Sequence, residues 1–157
     1  MKKLVVYYSL SGNTRAVAKR IARTLRADLM EIRTVKSYPD DYDVLLSLGQ
    51  KEIRSGYMPQ IEQLPFDANR YETIVLGTPV WWSSYAPAVK IFMAGVSWKG
   101  KKVYPFATHG GDLGHTPSDL RKAMRGAQVS PVLGIRFENG TQVTPAGDVK
   151  TWVTAIE

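Results

Sequence analysis

The sequence predicts an α/β fold: a doubly wound, five-stranded parallel sheet of order 2-1-3-4-5 with helices on both faces. Three observations predict it. Short apolar runs rich in β-branched and aromatic residues alternate five times with helical patterns, as parallel strands joined by crossover helices do. The chain is long enough, at 157 residues, to bury one sizeable core, and all of it, residues 1–157, reads as one domain. Loops following the first, third and fourth strands carry clustered hydroxyls, tandem tryptophans and glycines. In that strand order these carboxyl ends are neighbours, so loops far apart in sequence converge on one crevice, where such sheets bind ligands.

The first strand is Val5-Val6-Tyr7-Tyr8. It stops at Ser9-Leu10-Ser11-Gly12-Asn13-Thr14-Arg15, where a helical pattern starts at once. Strand, tight loop and helix N-terminus together aim unpaired backbone N–H groups and the positive end of a helix dipole at one spot. Ser9, Ser11, Asn13 and Thr14 add side-chain donors, and Gly12 lets the backbone turn inward. The loop is built to hold a phosphate. It has no lysine and no second glycine, so it is neither a Walker loop nor the usual dinucleotide fingerprint. Neutral donors suit one terminal phosphate. An ordinary N-cap would account for Asn13 or Ser11, but not for four polar residues around a glycine.

Val17, Ala18, Ile21, Ala22 and Leu25 then form an apolar stripe, with Arg15, Lys19, Arg23 and Arg26 opposite. No aromatic residues interleave with these cations, so the basic stripe reads as a solvated face and not as a nucleic-acid platform. Residues 28–34 alternate as a second strand. A turn at Ser37-Tyr38-Pro39-Asp40-Asp41 leads into a helix over 42–53 with acids at its N-terminal end. Residues 56–69, with Pro59 and Pro65, read as a loop, and 71–77 as a buried third strand. Thr78-Pro79-Val80-Trp81-Trp82-Ser83-Ser84 reads as a loop before a helix that starts near Pro87. Adjacent tryptophans on a loop are not core periodicity. One can pack down, but both cannot point the same way, and the other suits a planar aromatic ligand.

Val103-Tyr104-Pro105-Phe106-Ala107 is the fourth strand, followed by Thr108-His109-Gly110-Gly111-Asp112-Leu113-Gly114-His115. Its glycines allow a backbone to approach a ligand closely. Thr116-Pro117-Ser118-Asp119 reads as a cap, a first-turn proline and a first-turn acid, opening a helix that ends by Gly126. His109 and His115 have no partnering cysteine and no carboxylate cluster, so no metal site is expected. Residues 129–137 read as the fifth strand, 138–141 as a turn, and Thr144-Pro145 opens the last helix, with Trp152, Val153 and Ile156 facing inward.

The absence of cysteine excludes disulfides, thiolate metal sites and cysteine nucleophiles. No apolar run approaches a membrane span and the N-terminus does not read as a signal peptide, so the expected location is the cytoplasm. The net charge of +7 is uneven: residues 1–36 carry nine basic groups against Asp28 and Glu31, while residues 37–75 carry seven acidic groups against three basic ones.

The loop Ser9-Leu10-Ser11-Gly12-Asn13-Thr14 resembles the phosphate loop of the flavodoxins, and Gly77-Thr78-Pro79-Val80-Trp81-Trp82 and Thr108-His109-Gly110-Gly111 resemble that family's two flavin-ring loops, in the family's order. The resemblance spans the chain. The fifth strand carries no long insertion, as in short-chain flavodoxins. It implies a flavodoxin-like, Rossmann-like fold, FMN as cofactor, and FMN contacts from Ser9, Leu10, Ser11, Gly12, Asn13, Thr14, Thr78, Pro79, Val80, Trp81, Trp82, Thr108, His109, Gly110 and Gly111, with His109 at the ring edge. No side chain is expected to be catalytic, because the flavin performs the redox step. Two functions follow. One is a low-potential electron-transfer flavoprotein whose partners do the chemistry. The other is an FMN-dependent NAD(P)H:quinone oxidoreductase. The short chain and the lack of a second nucleotide motif favour the carrier; the basic charge and the bulky Trp81-Trp82 stretch keep the enzyme open. Flavodoxins are typically acidic and this chain, at +7, departs from them, so the expected partners are redox proteins with an acidic docking surface, with neither nucleic acid nor a membrane span involved. Two other users of this fold fail on chemistry. A phospho-receiver needs acids after strand one and an Asp ending strand three, and a low-molecular-weight phosphatase needs a cysteine in the first loop.

Overall fold

Alternation along the first strand sets the architecture. In β1 (Lys3–Tyr8), Leu4, Val6 and Tyr8 point to one face and Val5 and Tyr7 to the other, and all five are buried. A strand buried on both faces needs a layer of helix on each side. A computed structural model describes residues 2–56 and 59–156 and shows that arrangement. The elements that follow are α1 (Asn13–Leu25), β2 (Asp28–Ile32), α2 (Tyr42–Ser55), a 3-10 turn (Ala68–Arg70), β3 (Thr73–Trp81) and β4 (Ser84–Tyr85). After these come α3 (Pro87–Ala94), β5 (Lys102–His109), α4 (Thr116–Ala123), β6 (Gln128–Val129), β7 (Leu133–Glu138), β8 (Thr141–Gln142) and α5 (Ala146–Thr154).

The sheet runs β2-β1-β3-β5-β7-β8, with β4 paired to β3 and β6 to β5. Its principal strands are parallel and keep the predicted 2-1-3-4-5 order. On one face Val17, Ala18 and Ile21 of α1 and Val153 of α5 pack over Val5, Val75 and Phe106. On the other, Val89 and Phe92 of α3 and Leu120 of α4 pack with Leu4, Ile74 and Leu76.

Four local expectations need correction. The third strand does not stop at residue 77. It continues to Trp81 and turns back through Trp82 and Ser83 into β4, so the predicted loop 78–84 is a β-hairpin. The fifth strand is not continuous. Pro131 lacks an N–H, and the ladder breaks between β6 and β7. The register shows the consequence: three steps on β5, from Val103 to Phe106, face four on its partner, from Val129 to Leu133, a one-residue bulge. Thr116 is the first residue of α4 and not its cap; His115 holds that position. Most of the expected loop 56–69 is irregular, but Thr34 and Ile61 form an isolated antiparallel bridge, and Tyr57 and Met58 lie outside the described residues.

Candidate functional site

The loop between β1 and α1 is pre-organised by its own serine. Gly12 sits at φ 100°, a conformation open to glycine and strained for other residues, and this turns the chain into α1. The Ser9 hydroxyl accepts from the N–H groups of Gly12 (3.1 Å) and Arg15 (3.2 Å), which leaves its own O–H free to donate. The N–H groups of Asn13 and Thr14 have no protein acceptor among the described residues, as expected for a first helical turn. Ser11 and Leu10 are exposed and Asn13 is half-buried. Thr14 differs. It is buried, and its hydroxyl bonds that of Thr108, at 2.8 Å, near the end of β5. One hydrogen bond therefore joins the first loop to the third across 94 positions of sequence.

The second stretch is held by contacts that no short-range pattern reveals. Thr78 is fully buried; its hydroxyl accepts from the Ala86 N–H (3.1 Å) and donates to the Pro79 carbonyl (2.9 Å). That hydroxyl fixes the base of the hairpin. Pro79 pairs with Thr108 and Val80 with Tyr85 in the ladder. At the tip, Trp82 (φ 49°) and Ser83 (φ 63°) both have positive φ, the pattern of a type I′ hairpin turn, without the glycine that usually supplies it. The tip is clamped from the third loop and α4. The His115 N–H donates to the Ser83 carbonyl at 2.6 Å, and the Ser84 hydroxyl donates to Asp119 at 2.6 Å. Gly114, at φ 55°, lies so close to Ser83 that an added Cβ would stand 2.6 Å from its Cα.

The two tryptophans divide as expected. Trp81 packs down: it is 5% exposed, lies edge-on to Tyr38 with ring centroids 4.9 Å apart, and rests against Gly49 of α2. Trp82 is half-buried and lines a cavity of about 270 Å³ with Tyr85, Lys90, His115 and Asp119.

In the third stretch, Thr108 is buried, His109 is half-buried, and Gly110 and Gly111 are exposed. His109 pairs in the ladder with Arg136 of β7. Its Nδ1 is buried with no partner among the described residues. Burial lowers its pKa; Asp112 opposes the shift and Arg136 adds to it, so the ring is neutral near pH 7.

The structure thus brings the three stretches together at the carboxyl ends of β1, β3 and β5, joined by Thr14 to Thr108 and by Ser83 to His115. The residues present fit a phosphorylated ligand with a polar ring. Unpartnered N–H groups and serine hydroxyls stand at one end, and the orphaned His109 Nδ1 stands at the other. A second space adjoins only the first loop. A cleft of about 820 Å³ is lined by Ser9, Leu10 and Ser11 but by no residue of 78–82 or 108–111. Its floor holds a pairing that the sequence did not disclose: Glu31 binds Arg15 at 2.5 Å and Arg33 at 2.8 Å. Burial pushes the Glu31 carboxyl up, but the hydrogen bonds from Arg15 and Arg33 outweigh it and hold the pKa below the usual range. Only the strand pairing places Glu31 opposite Tyr7, and no spacing rule could have found it.

Comparisons with known proteins agree with this geometry. The model of the family described as Flavodoxin matches residues 2–156. Among solved structures, a protein of Bacteroides uniformis assigned as a flavoprotein superposes with a TM-score of 0.83 at 25% identity, over 98% of this chain and 97% of that one. A flavoprotein of Lactobacillus acidophilus, solved in complex with FMN, gives 0.74 at 24% identity over 96% and 97%. Oxidised flavodoxin 2 of Bacillus cereus gives 0.58 at 21% identity over 98% and 94%. No curated protein matches the chain.

Proposed function

From the premise that this chain belongs to the flavodoxin family, we propose that it binds FMN and works as an electron-transfer protein. The 9–14 loop would hold its phosphate, and the 78–82 hairpin and the 108–111 loop would hold its flavin ring. The observation that carries this reading is the convergence of the three stretches, above all the buried Thr14–Thr108 bond that joins phosphate end to ring end. Bound FMN would supply one- and two-electron redox chemistry. The residues of the chain do the rest. The first turn of α1, Ser9 and Ser11 hold the phosphate with neutral donors. The neutral His109 ring offers a hydrogen-bonding atom at the ring edge. Trp82, the tryptophan not committed to the core, offers an aromatic face, while Trp81 anchors the hairpin that carries it.

The carrier reading is supported by the sequence, which carries no dinucleotide fingerprint. The charge of +7 suits a redox partner with an acidic surface. Among the described residues no helix is long and apolar enough to cross a membrane. The rival, an FMN-dependent NAD(P)H:quinone oxidoreductase, is favoured by one observation: the 820 Å³ cleft beside the phosphate loop has room for a second ligand. Absorbance of the purified protein and NAD(P)H oxidation with added quinone separate the two. The expected result is a flavin spectrum with no NAD(P)H turnover. Turnover would establish the enzyme, and failure to take up FMN would end both readings.

A further inference from the structure

We propose that the cleft beside the phosphate loop is a second, nucleotide-binding part of the site, and that it takes a nucleoside phosphate. The inference rests on the reading of the 9–14 loop as a phosphate site. The cleft starts at Ser9, Leu10 and Ser11 and runs over the carboxyl end of β2 towards the N-terminus of α2. The fold dictates this adjacency. β2 lies directly beside β1, with Tyr7 opposite Glu31 and Tyr8 opposite Ile32, so the chain leaving β2 faces the loop leaving β1. In dinucleotide-binding sheets, whose glycine fingerprint this chain lacks, an acid or an arginine beyond the first loop reads the ribose or its 2′-phosphate.

Three features of the walls define the ligand. Arg15 and Arg33 are fixed by the one carboxylate of Glu31, whose side chain is 13% exposed. One acid between two guanidiniums holds both forks in place on the wall that also carries Ser9 and Ser11. Next, Leu10 (41% exposed), Val35 (58%) and Tyr42 (70%) all stand on this cleft. Single exposed apolar residues need no explanation, but three around one cleft form a surface that a flat base would cover. Finally, Asp40 and Glu62 also line it. Two cations against three acids make the cleft a poor general anion trap. It suits a ligand with one localised phosphate, hydroxyls for the carboxylates to accept, and an apolar ring. A nucleoside phosphate has all three.

Such a group has two sources. It is the adenylate half of FAD, with the flavin half on the phosphate loop, or it is a free nucleotide beside bound FMN. The test titrates the apoprotein with FMN and with FAD, and the FMN-loaded protein with ADP, for the wild type, Arg33→Ala and Tyr42→Ala. Both variants are at exposed positions outside the 9–14 loop, so FMN binding should stay within about twofold of wild type in each, which also shows that they fold. The expected result is FAD binding within about tenfold of FMN, or ADP binding with a Kd below about 1 mM, weakened about tenfold by Arg33→Ala. FAD binding assigns the adenylate half, and ADP binding assigns a free nucleotide. If FMN binds while FAD is more than about a hundredfold weaker and ADP does not bind, the proposal is overturned and the FMN reading stands. Nucleotide binding indifferent to both substitutions also overturns it, because the nucleotide then lies elsewhere. Failure of FMN itself overturns both.

Discussion

Thr14 and Thr108 donate and accept within one buried pair, and the energetics of that pair are asymmetric. Removing one hydroxyl strands the other in the core at a cost of about 1–3 kcal/mol, whereas removing both is nearly neutral. Thr14→Val and Thr108→Val should therefore each lower unfolding stability by about that amount, and the double variant should recover most of the loss; urea denaturation measures this. Additive losses would mean that the hydroxyls do not bond each other. A second residue-scale test concerns Glu52, 5% exposed on α2 and hydrogen-bonded to the Tyr38 hydroxyl at 2.8 Å. Burial raises its pKa above 4.5, and the Tyr38 bond opposes this only in part. The folded state then holds a proton that the unfolded state gives up, so the contribution to stability is full below pH 4.5 and is lost as pH rises through the folded pKa. Glu52→Gln keeps an acceptor for Tyr38 and should flatten stability against pH just above 4.5. An unchanged slope there would show that the carboxyl titrates normally.

At the scale of the element, the hairpin is where sequence reading fell short. The alternation of Leu4, Val6 and Tyr8 against Val5 and Tyr7, the stripe on α1 and the turn at Asn139-Gly140 are all legible, because each is local and periodic. The turn at Trp82-Ser83 is not. Its positive φ angles cost roughly 1–2 kcal/mol per residue, and no local preference supplies that. The compensation comes from His115, Asp119 and Gly114, some 30 residues away, which only the folded chain brings near. For the same reason nothing local in the sequence marks Thr78 as the hydroxyl that holds the hairpin base. Pro131 was visible in the sequence, but an apolar run on either side of it reads as one strand. Two outcomes follow for the hairpin. Ser83→Gly relieves one strained residue at the cost of more freedom in the unfolded chain, so stability should be unchanged or raised by up to about 1 kcal/mol. A clear loss would show that the Ser83 side chain, and not its carbonyl, secures the tip. Trp81→Ala should destabilise by about 3–5 kcal/mol as a core truncation, while Trp82→Ala should spare the fold and restore fluorescence to bound FMN. The opposite pattern would exchange their roles.

On the scale of the whole molecule, two features bear on the proposed function: the convergence of three strand ends and the charge of +7. The convergence was legible because strand order alone makes those ends neighbours. The cleft over Glu31, Arg15 and Arg33 was not, because it depends on side-chain directions at one edge. The charge of +7 bears on partners. Electron transfer to an acidic partner should slow by roughly tenfold between low and physiological ionic strength, as steering is screened over about 8 Å. A rate indifferent to salt would remove charge as the guide to the partner.

The most direct test of FMN binding at the 9–14 loop is calorimetric titration of the apoprotein with FMN and with riboflavin, in wild type and Ser11→Ala. The two ligands differ only in the phosphate, whose hydrogen bonds are worth about 1.5–3 kcal/mol each. Wild-type protein should bind one FMN per chain, on the order of a hundredfold or more tighter than riboflavin, and Ser11→Ala should weaken FMN while leaving riboflavin nearly unchanged. Equal affinities for the two flavins, or equal losses in the variant, would contradict it.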